Sequence, residues 1–228
     1  MSTALSVVIG AVGNVELTRA CIESVREFSI LQPEIVLIDN GSTIAESVEL
    51  ATLGADVVIY SPTMLGYPKA MNAGVRAASG AYVCLLNNDA QVTQKGWDAR
   101  MVTMLDIVPG AEIIGPYTDF VFSPGQQAAA PGAQDELLET NRLAFVCAIM
   151  RRDLFERIGF FDEAYGLGNW EDTDLCMRVQ LAGGRILIDP GVFVRHVGHQ
   201  TMCKLPQFGE LLDSNRRLFL DKWKDELQ

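Results

Sequence analysis

Residues 65–90 read LGYPKAMNAGVRAASGAYVCLLNNDA, and the order of events in that stretch decides the fold. Pro68 suits the first turn of a helix, where its missing N–H is no loss. The helix is expected to run to about Ser79 and to end at Gly80. Ala81–Leu86 is a short apolar run that reads as a strand and halts at Asn87-Asn88-Asp89. A helix that hands over to a buried strand ending in polar residues is half of a βαβ unit.

The same alternation extends upstream. Leu5–Ile9 is a short strand ending at Gly10, and Asn14 is placed to cap a helix that carries Glu16 in its first turn. Leu17, Cys21, Val25 and Phe28 recur at helical spacing. Ile35–Ile38 is a second strand and stops at Asp39-Asn40-Gly41-Ser42, Ile44–Leu53 reads as a helix, and Val57–Tyr60 as a third strand. Strands that are apolar throughout are covered on both faces, as parallel strands are. The expectation is therefore an α/β chain with a mostly parallel central sheet flanked by helices, its ligands bound beyond the carboxyl ends of the strands. Polar clusters stand at those ends: Asp39 with Asn40, and Asn87 with Asp89.

Downstream the pattern is less regular. Residues 116–142, rich in Pro, Gly, Ala and Gln, read as a long mobile loop. Phe145–Met150 is a strand, Arg152–Ile158 a short helix closed by Gly159, and Glu171–Ala182 a helix closed by Gly183-Gly184. Arg185–Ile188 and Val192–His196 read as two further strands. Residues 206–227 form a last helix with Phe208, Leu212, Phe219 and Trp223 on one face. That face is expected to pack on its own domain, with a homodimer interface as the alternative.

Composition narrows the function. The chain has 228 residues, 49% of them apolar and 21% charged, enough for one sizeable core. A net charge of −11 leaves no basic footprint for nucleic acid, and it repels an anionic ligand unless a cation or backbone N–H groups offset the field. The five cysteines, Cys21, Cys84, Cys147, Cys176 and Cys203, form no CxxC pair, which excludes a zinc ribbon or disulfide framework and fits a reducing cytosol. Cys84 reads as a small core residue. The N-terminus does not read as a signal peptide, the ending KDELQ is not the KDEL signal, and no run is long enough to cross a bilayer. A cytoplasmic location follows as the expectation, with peripheral contact at the inner face of a membrane open.

Four places could carry chemistry. Asp89, directly after a buried strand, could hold a hard cation such as Mg²⁺ or Mn²⁺, although Asn-Asn-Asp is also good turn chemistry. Gly168-Asn169-Trp170-Glu171-Asp172-Thr173-Asp174-Leu175 puts three acids at a helix N-terminus. Asp174 fits the ordinary role of complementing the helix dipole, but three acids with a Trp exceed that need, and clustered carboxylates suit a general base. His196 ends an apolar strand, followed by His199, and one of them joining Asp89 on Mn²⁺ is reasonable chemistry. Asp39 could accept a nucleobase N–H. Lys69 and Arg76 lie where they could face phosphate or solvent, solvent being favoured for Arg76.

In this order the segments SVVIGAVGN, VLIDNGST, LGYPKAMNAGVRAASGAYVCLLNNDA, IMRRDLFERIGFFDE and WEDTDLCMRVQLAGGRILIDPGVFVRH resemble the family 2 glycosyltransferases, most of all their rhamnosyltransferase-type branch. The resemblance spans most of residues 5–196 and implies a single GT-A type, Rossmann-like domain over 1–200, with a nucleotide-sugar-binding half (1–115), an acceptor-binding half (116–200) and a helical extension (201–228). It implies that Ile9, Gly10, Ala11 and Val12 line the nucleotide, that Asp39 recognises uracil or thymine, and that Lys69, Asn72 and Gly74 lie near donor. Asn88 and Asp89 match the end of the family's DxD motif, with Asp89 as metal ligand and His196 completing the Mn²⁺ or Mg²⁺ site. Glu171 and Asp172 match the family's catalytic ED motif, with Asp172 as base and Glu171 positioning the acceptor or tuning Asp172, and Trp170 also faces the acceptor. The chain departs from the pattern at Gly10-Ala11-Val12, where a Pro-Thr-Tyr-like sequence is usual, and at Asn87, where the first acid of DxD is usual.

The activity implied is inverting transfer of a hexose-type sugar from a UDP- or dTDP-linked donor to a glycan, lipid-linked or other hydroxyl, in bacterial polysaccharide or glycan biosynthesis. The loop 116–142 would act as a lid. A sugar nucleotidyltransferase would want a basic residue in the loop GAVGNVE, which has none, and a non-catalytic binding module would not need Asp89, Glu171, Asp172 and His196 together.

Overall fold

The computed structural model describes residues 4–119, 121, 136–198 and 208–227. The first half delivers the expected units: β1 (Leu5–Ala11), α1 (Val15–Phe28), β2 (Glu34–Asn40), α2 (Ile44–Leu50), β3 (Val57–Ser61), α3 (Tyr67–Ala77) and β4 (Tyr82–Asn87). Their strands lie in the order β3-β2-β1-β4, every pairing parallel. The second half adds β5 (Ala90–Val92), α4 (Trp97–Ile107), β6 (Ala111–Thr118), β7 (Leu138–Thr140), β8 (Cys147–Arg151), α5 (Leu154–Ile158), a 3₁₀ turn (Glu163–Tyr165), α6 (Glu171–Leu181), β9 (Arg185–His196) and α7 (Phe208–Lys222). Among the described residues these strands complete one sheet in the order β3-β2-β1-β4-β8-β6-β9-β5, with β7 also on β9. β8 runs antiparallel to both neighbours, while β6 and β9 are parallel.

Alternation along β1 explains the layering. Val7 and Ile9 point to one face, where Cys21 and Val25 of α1 and Trp97, Met101 and Leu105 of α4 cover them. Val8 points to the other, against Met71 and Val75 of α3 and the layer that contains Leu175 and Val179 of α6. Cys84 is fully buried in the first layer, as its sequence context implied.

Several expectations change in detail. Asn14 occupies the cap position of α1 in a left-handed conformation (φ 48°) and makes no side-chain capping bond; Thr18 Oγ1 instead donates to its carbonyl. α2 stops at Leu50 and carries a capping box from Thr43 and Glu46. The two short strands expected after Gly184 are one. Asp189-Pro190-Gly191 forms a bulge, with Pro116 opposite Asp189 and Tyr117 opposite Phe193. The bulge is fixed by the buried Asp189 carboxylate, which accepts both arms of Arg100 at 2.8 Å and the Gly191 N–H at 2.9 Å. The expected loop 116–142 begins inside β6 and contains β7 near its end. Its interior, and therefore its reading as a mobile lid, lies outside the described residues. No helix among the described residues is long and apolar enough to cross a membrane.

Helix α3 lies tight on the sheet at Gly74. A Cβ there would stand 2.3 Å from Val8 Cγ1 and 2.7 Å from Ile38 Cδ1. Gly74→Ala should therefore cost about 2 kcal/mol of stability through overpacking. Urea unfolding checks this: the midpoint falls at unchanged slope, and an unmoved midpoint would mean that α3 has slack to give.

Candidate active site

The parallel register brings three strand ends together. Ala11 lies beside Asp39 and Gly10 beside Asn87, so β2, β1 and β4 end side by side on one edge of the sheet, where open parallel sheets bind ligands. Asp39 is only 2% exposed. Its Oδ1 accepts the Ser42 N–H at 3.1 Å, and its Oδ2 has no partner. Ser42 Oγ in turn accepts the Gly13 N–H at 2.8 Å, which ties the β1–α1 loop to the Asp39 turn. Of the first-loop residues expected to line a ligand, Ile9 does not do so with its side chain, which strand alternation turns into the core. Ala11 is buried, Val12 is half-buried, and Gly10 backs onto the Met71 methyl.

Asp89 and His196 meet because β5 pairs with the end of β9, Ala90 opposite His196. Asp89 Oδ1 lies 3.1 Å from His196 Nε2, and Asn87 Nδ2 lies 3.4 Å from the same nitrogen. The His196 backbone N–H donates to Asp119 Oδ1 at 2.7 Å. Asn88 donates from Nδ2 to Thr18 Oγ1 of α1 at 3.0 Å, which turns that nitrogen toward packing.

This pair fits a hard divalent cation. Two ligands at right angles, each about 2.1 Å from an ion, lie about 3 Å apart. Carboxylate oxygen with one imidazole is a donor set that Mn²⁺ accepts. Among the described residues no group of three or more His, Cys, Asp or Glu is placed to hold a metal, so the remaining positions would fall to phosphate and water. His199 lies outside the described residues.

The second acidic cluster sits at the start of α6. The segment before it is held against α3: Tyr67 N–H donates to Leu167 O at 3.1 Å, and a Cβ on Gly66 would stand 2.0 Å from Gly166 O. Asn169 and Trp170 both take positive φ, 73° and 75°. Glu171 is 7% exposed with Oε2 unpartnered. Burial, followed by the neighbouring Asp172, holds the Glu171 carboxyl well above the usual range. Burial also raises Asp172, against hydrogen bonds from Thr173 and from the Phe145 N–H. Asp174 is different. It is fully buried and accepts from Tyr165 Oη, Arg178 Nε, Trp223 Nε1 and Lys222 Nζ, which makes it structural, as its sequence context implied.

Residues 145–146 join the clusters. Val146 O accepts the Asn87 N–H at 2.9 Å, while the Phe145 N–H reaches Asp172. Tyr67 Oη lies 3.4 Å from Phe145 O, and its phenol is pushed up by burial and by Glu171 and Asp172. Tyr67 and Asp119 carry no sequence signal beyond their residue type.

Two residues expected near donor, Asn72 and Gly74, have packing work. Asn72 spends its whole amide on the 161–163 segment: Nδ2 donates to Phe161 O and Glu163 Oε1, and Oδ1 accepts the Phe161 N–H. Gly74 is a packing contact between β1 and β2. Lys69 is exposed on the first turn of α3, and Arg76, also exposed, stacks 4.1 Å over Phe160. A separate cavity of about 370 Å³, lined by Glu139, Thr140, Gln180 and Arg185, opens at the start of β9, the far end of that strand from His196.

The sheet, with acids at its crevice, is the GT-A type fold found in glycosyltransferases. Solved structures agree. The mannosyltransferase PcManGT from Pyrobaculum calidifontis, solved with GDP-Man and Mn²⁺, superposes with a TM-score of 0.68 at 16% identity, covering 88% of this chain and 59% of that one. S. aureus TarS 1-349 in complex with UDP-GlcNAc gives 0.69 at 16% identity, covering 95% and 66%. The sequence profile of glycosyl transferase family 2 matches residues 6–159, and the chain belongs to that family. A PGL/p-HBAD biosynthesis glycosyltransferase from Mycobacterium bovis is 24% identical over 213 residues, 90% of this chain and 78% of the relative. Another curated relative is much longer, and the chain spans 27% of it.

The raised Glu171 carboxyl has a pH consequence. Its folded pKa lies above the unfolded value of about 4.3. The stability it contributes is thus complete below that pH and is lost as pH rises. Glu171→Gln should raise the melting temperature by about 3 °C at pH 7.5 and leave it unchanged at pH 4. Melts of both proteins across this range check it, and equal curves would mean that Glu171 ionises freely.

Proposed function

We propose that the chain transfers a hexose-type sugar from a UDP- or dTDP-linked donor to an acceptor hydroxyl, with inversion, in bacterial glycan or polysaccharide assembly. The observation that carries this reading is the gathering of Asp39, the Asp89–His196 pair and the Glu171–Asp172 pair around one crevice, the last two joined through residues 145–146.

In this reading the unpartnered Oδ2 of Asp39 accepts the imide N–H of uracil or thymine. Backbone at Gly10 to Val12 lies along the nucleoside. Asp89 and His196 hold Mn²⁺ or Mg²⁺, which when bound neutralises charge on the diphosphate. The neighbour holding GDP-Man and Mn²⁺ supports the choice of cation, and that holding UDP-GlcNAc the choice of donor class. Asp172 takes the proton from the acceptor hydroxyl while that oxygen bonds to the anomeric carbon and the bond to the nucleoside diphosphate breaks. Glu171, through its free Oε2, and Trp170 orient the acceptor. The name of a Myxococcus xanthus O-antigen biosynthesis protein, 25% identical over 179 residues, supports a glycan acceptor, while the rhamnosyltransferase-type branch rests on the sequence resemblance alone. The expected cytoplasmic location is kept in this reading, with peripheral contact at the inner face of a membrane open.

A thermal-shift panel tests the donor site. UDP or dTDP at about 100 times its Kd should add about 2.7 kcal/mol in the presence of Mn²⁺. Asp89→Ala should remove the part that depends on the metal. No response to any nucleotide, with or without metal, would leave a binding module of another specificity. Asp172→Asn should reduce sugar transfer by three orders of magnitude or more while UDP stabilises it as before; equal loss of binding would remove the base assignment.

A further inference from the structure

Helix α7 grips the segment that presents Glu171 and Asp172, and it does so from three successive turns of one face. Asn215, 5% exposed, donates from Nδ2 to the carbonyls of Tyr165 and Gly168 at 2.8 Å and of Asn169 at 3.1 Å. One turn on, the Phe219 ring lies 5.1 Å from the ring of Trp170. Another turn on, Lys222 Nζ and Trp223 Nε1 close on Asp174 at 2.8 and 2.9 Å, and Lys222 also reaches Asp162 at 2.6 Å.

Among the described residues, the grip falls on the one place where two consecutive non-glycine residues take a left-handed backbone. Asn169 and Trp170 adopt it directly before the acids. Such conformations persist only where the surroundings over-determine them. Three carbonyls converging on one point call for an N–H donor there. Neither a carboxylate nor a methyl group can take its place.

We propose that Asn215 is a positioning residue, holding the Gly168-Asn169-Trp170 turn so that Glu171 stays buried with Oε2 free and Asp172 stays against Phe145. The consequence for turnover rests on the glycosyl-transfer reading; the consequence for the turn does not.

The test compares the full chain with Asn215→Ala and Asn215→Asp. Amide hydrogen exchange over 165–172 should quicken about tenfold in both variants, while α1 and α3 exchange as before. Hydrolysis of UDP-GlcNAc, UDP-glucose and dTDP-rhamnose, with water as acceptor, should lose about tenfold or more in kcat with the donor KM within about twofold. Asp, though isosteric, should rescue nothing. If the Ala variant fails to fold, Asn215→Ser, whose hydroxyl can serve only one carbonyl, should show an intermediate loss. Unchanged exchange at 165–172, or quickened exchange with unchanged kcat, would overturn the proposal. A native chain that neither binds UDP or dTDP nor hydrolyses any of these donors would count against glycosyl transfer alone. The exchange comparison would still decide the clamp: faster exchange upholds it and equal exchange refutes it.

Discussion

Three residues of pairing hold the candidate site together. β5 is only Ala90–Val92, yet its antiparallel pairing with Val194–His196 is what sets an acid from the first half of the chain against an imidazole from the second. Asn87 and His196 are 109 residues apart in sequence. Everything else in the second half serves that meeting. In the sheet β8 lies antiparallel between β4 and β6, and β9 runs beside β6 far enough to bring His196 to β5. The bulge at Asp189, pinned by Arg100, lets β9 reach Ala90 in register.

The acids of this chain divide by how their oxygens are satisfied. Asp98, Asp174 and Asp189 are fully buried, and each is met by donors: Asp98 by the Ile30 and Leu31 N–H groups, Asp189 by a guanidinium fork and Asp174 by four side chains. Asp39 and Glu171 are almost as buried, and each keeps one oxygen with no donor at all. A buried acceptor without a partner is costly, so folding alone does not account for these two. The contrast separates acids whose oxygens are met within the fold from the two that keep an oxygen without a donor, and it does so without appeal to any likeness.

Sequence alone carried the first half well, because buried parallel strands are unbroken apolar runs and their ends are marked by polar residues. Asp39, Asp89, Glu171, Asp172 and His196 were legible for the same reason: each stands at or next to the end of an element. Direction was harder to read than place. Ile9 and Asn88 belong to the right segments but point to α1, and Asn72 turns its amide to Phe161, 89 residues away. α4 went unseen because Gly96 holds its cap position and no polar side chain announces it. Asn215 and Tyr67 take their roles from contacts across 50 and 78 residues, which no local pattern encodes.

Gly66 and Gly166 meet backbone to backbone, with no side chain between them. A contact of that kind works as a gauge block. It fixes the width of the gap between α3 and the acid-bearing segment at a value that no substitution elsewhere can widen by trimming or narrow by filling. Divergence among chains built this way is therefore confined to what projects into the gap. Whatever occupies the gap has to be accommodated by exchanging individual side chains along its walls, while the span they face across stays constant.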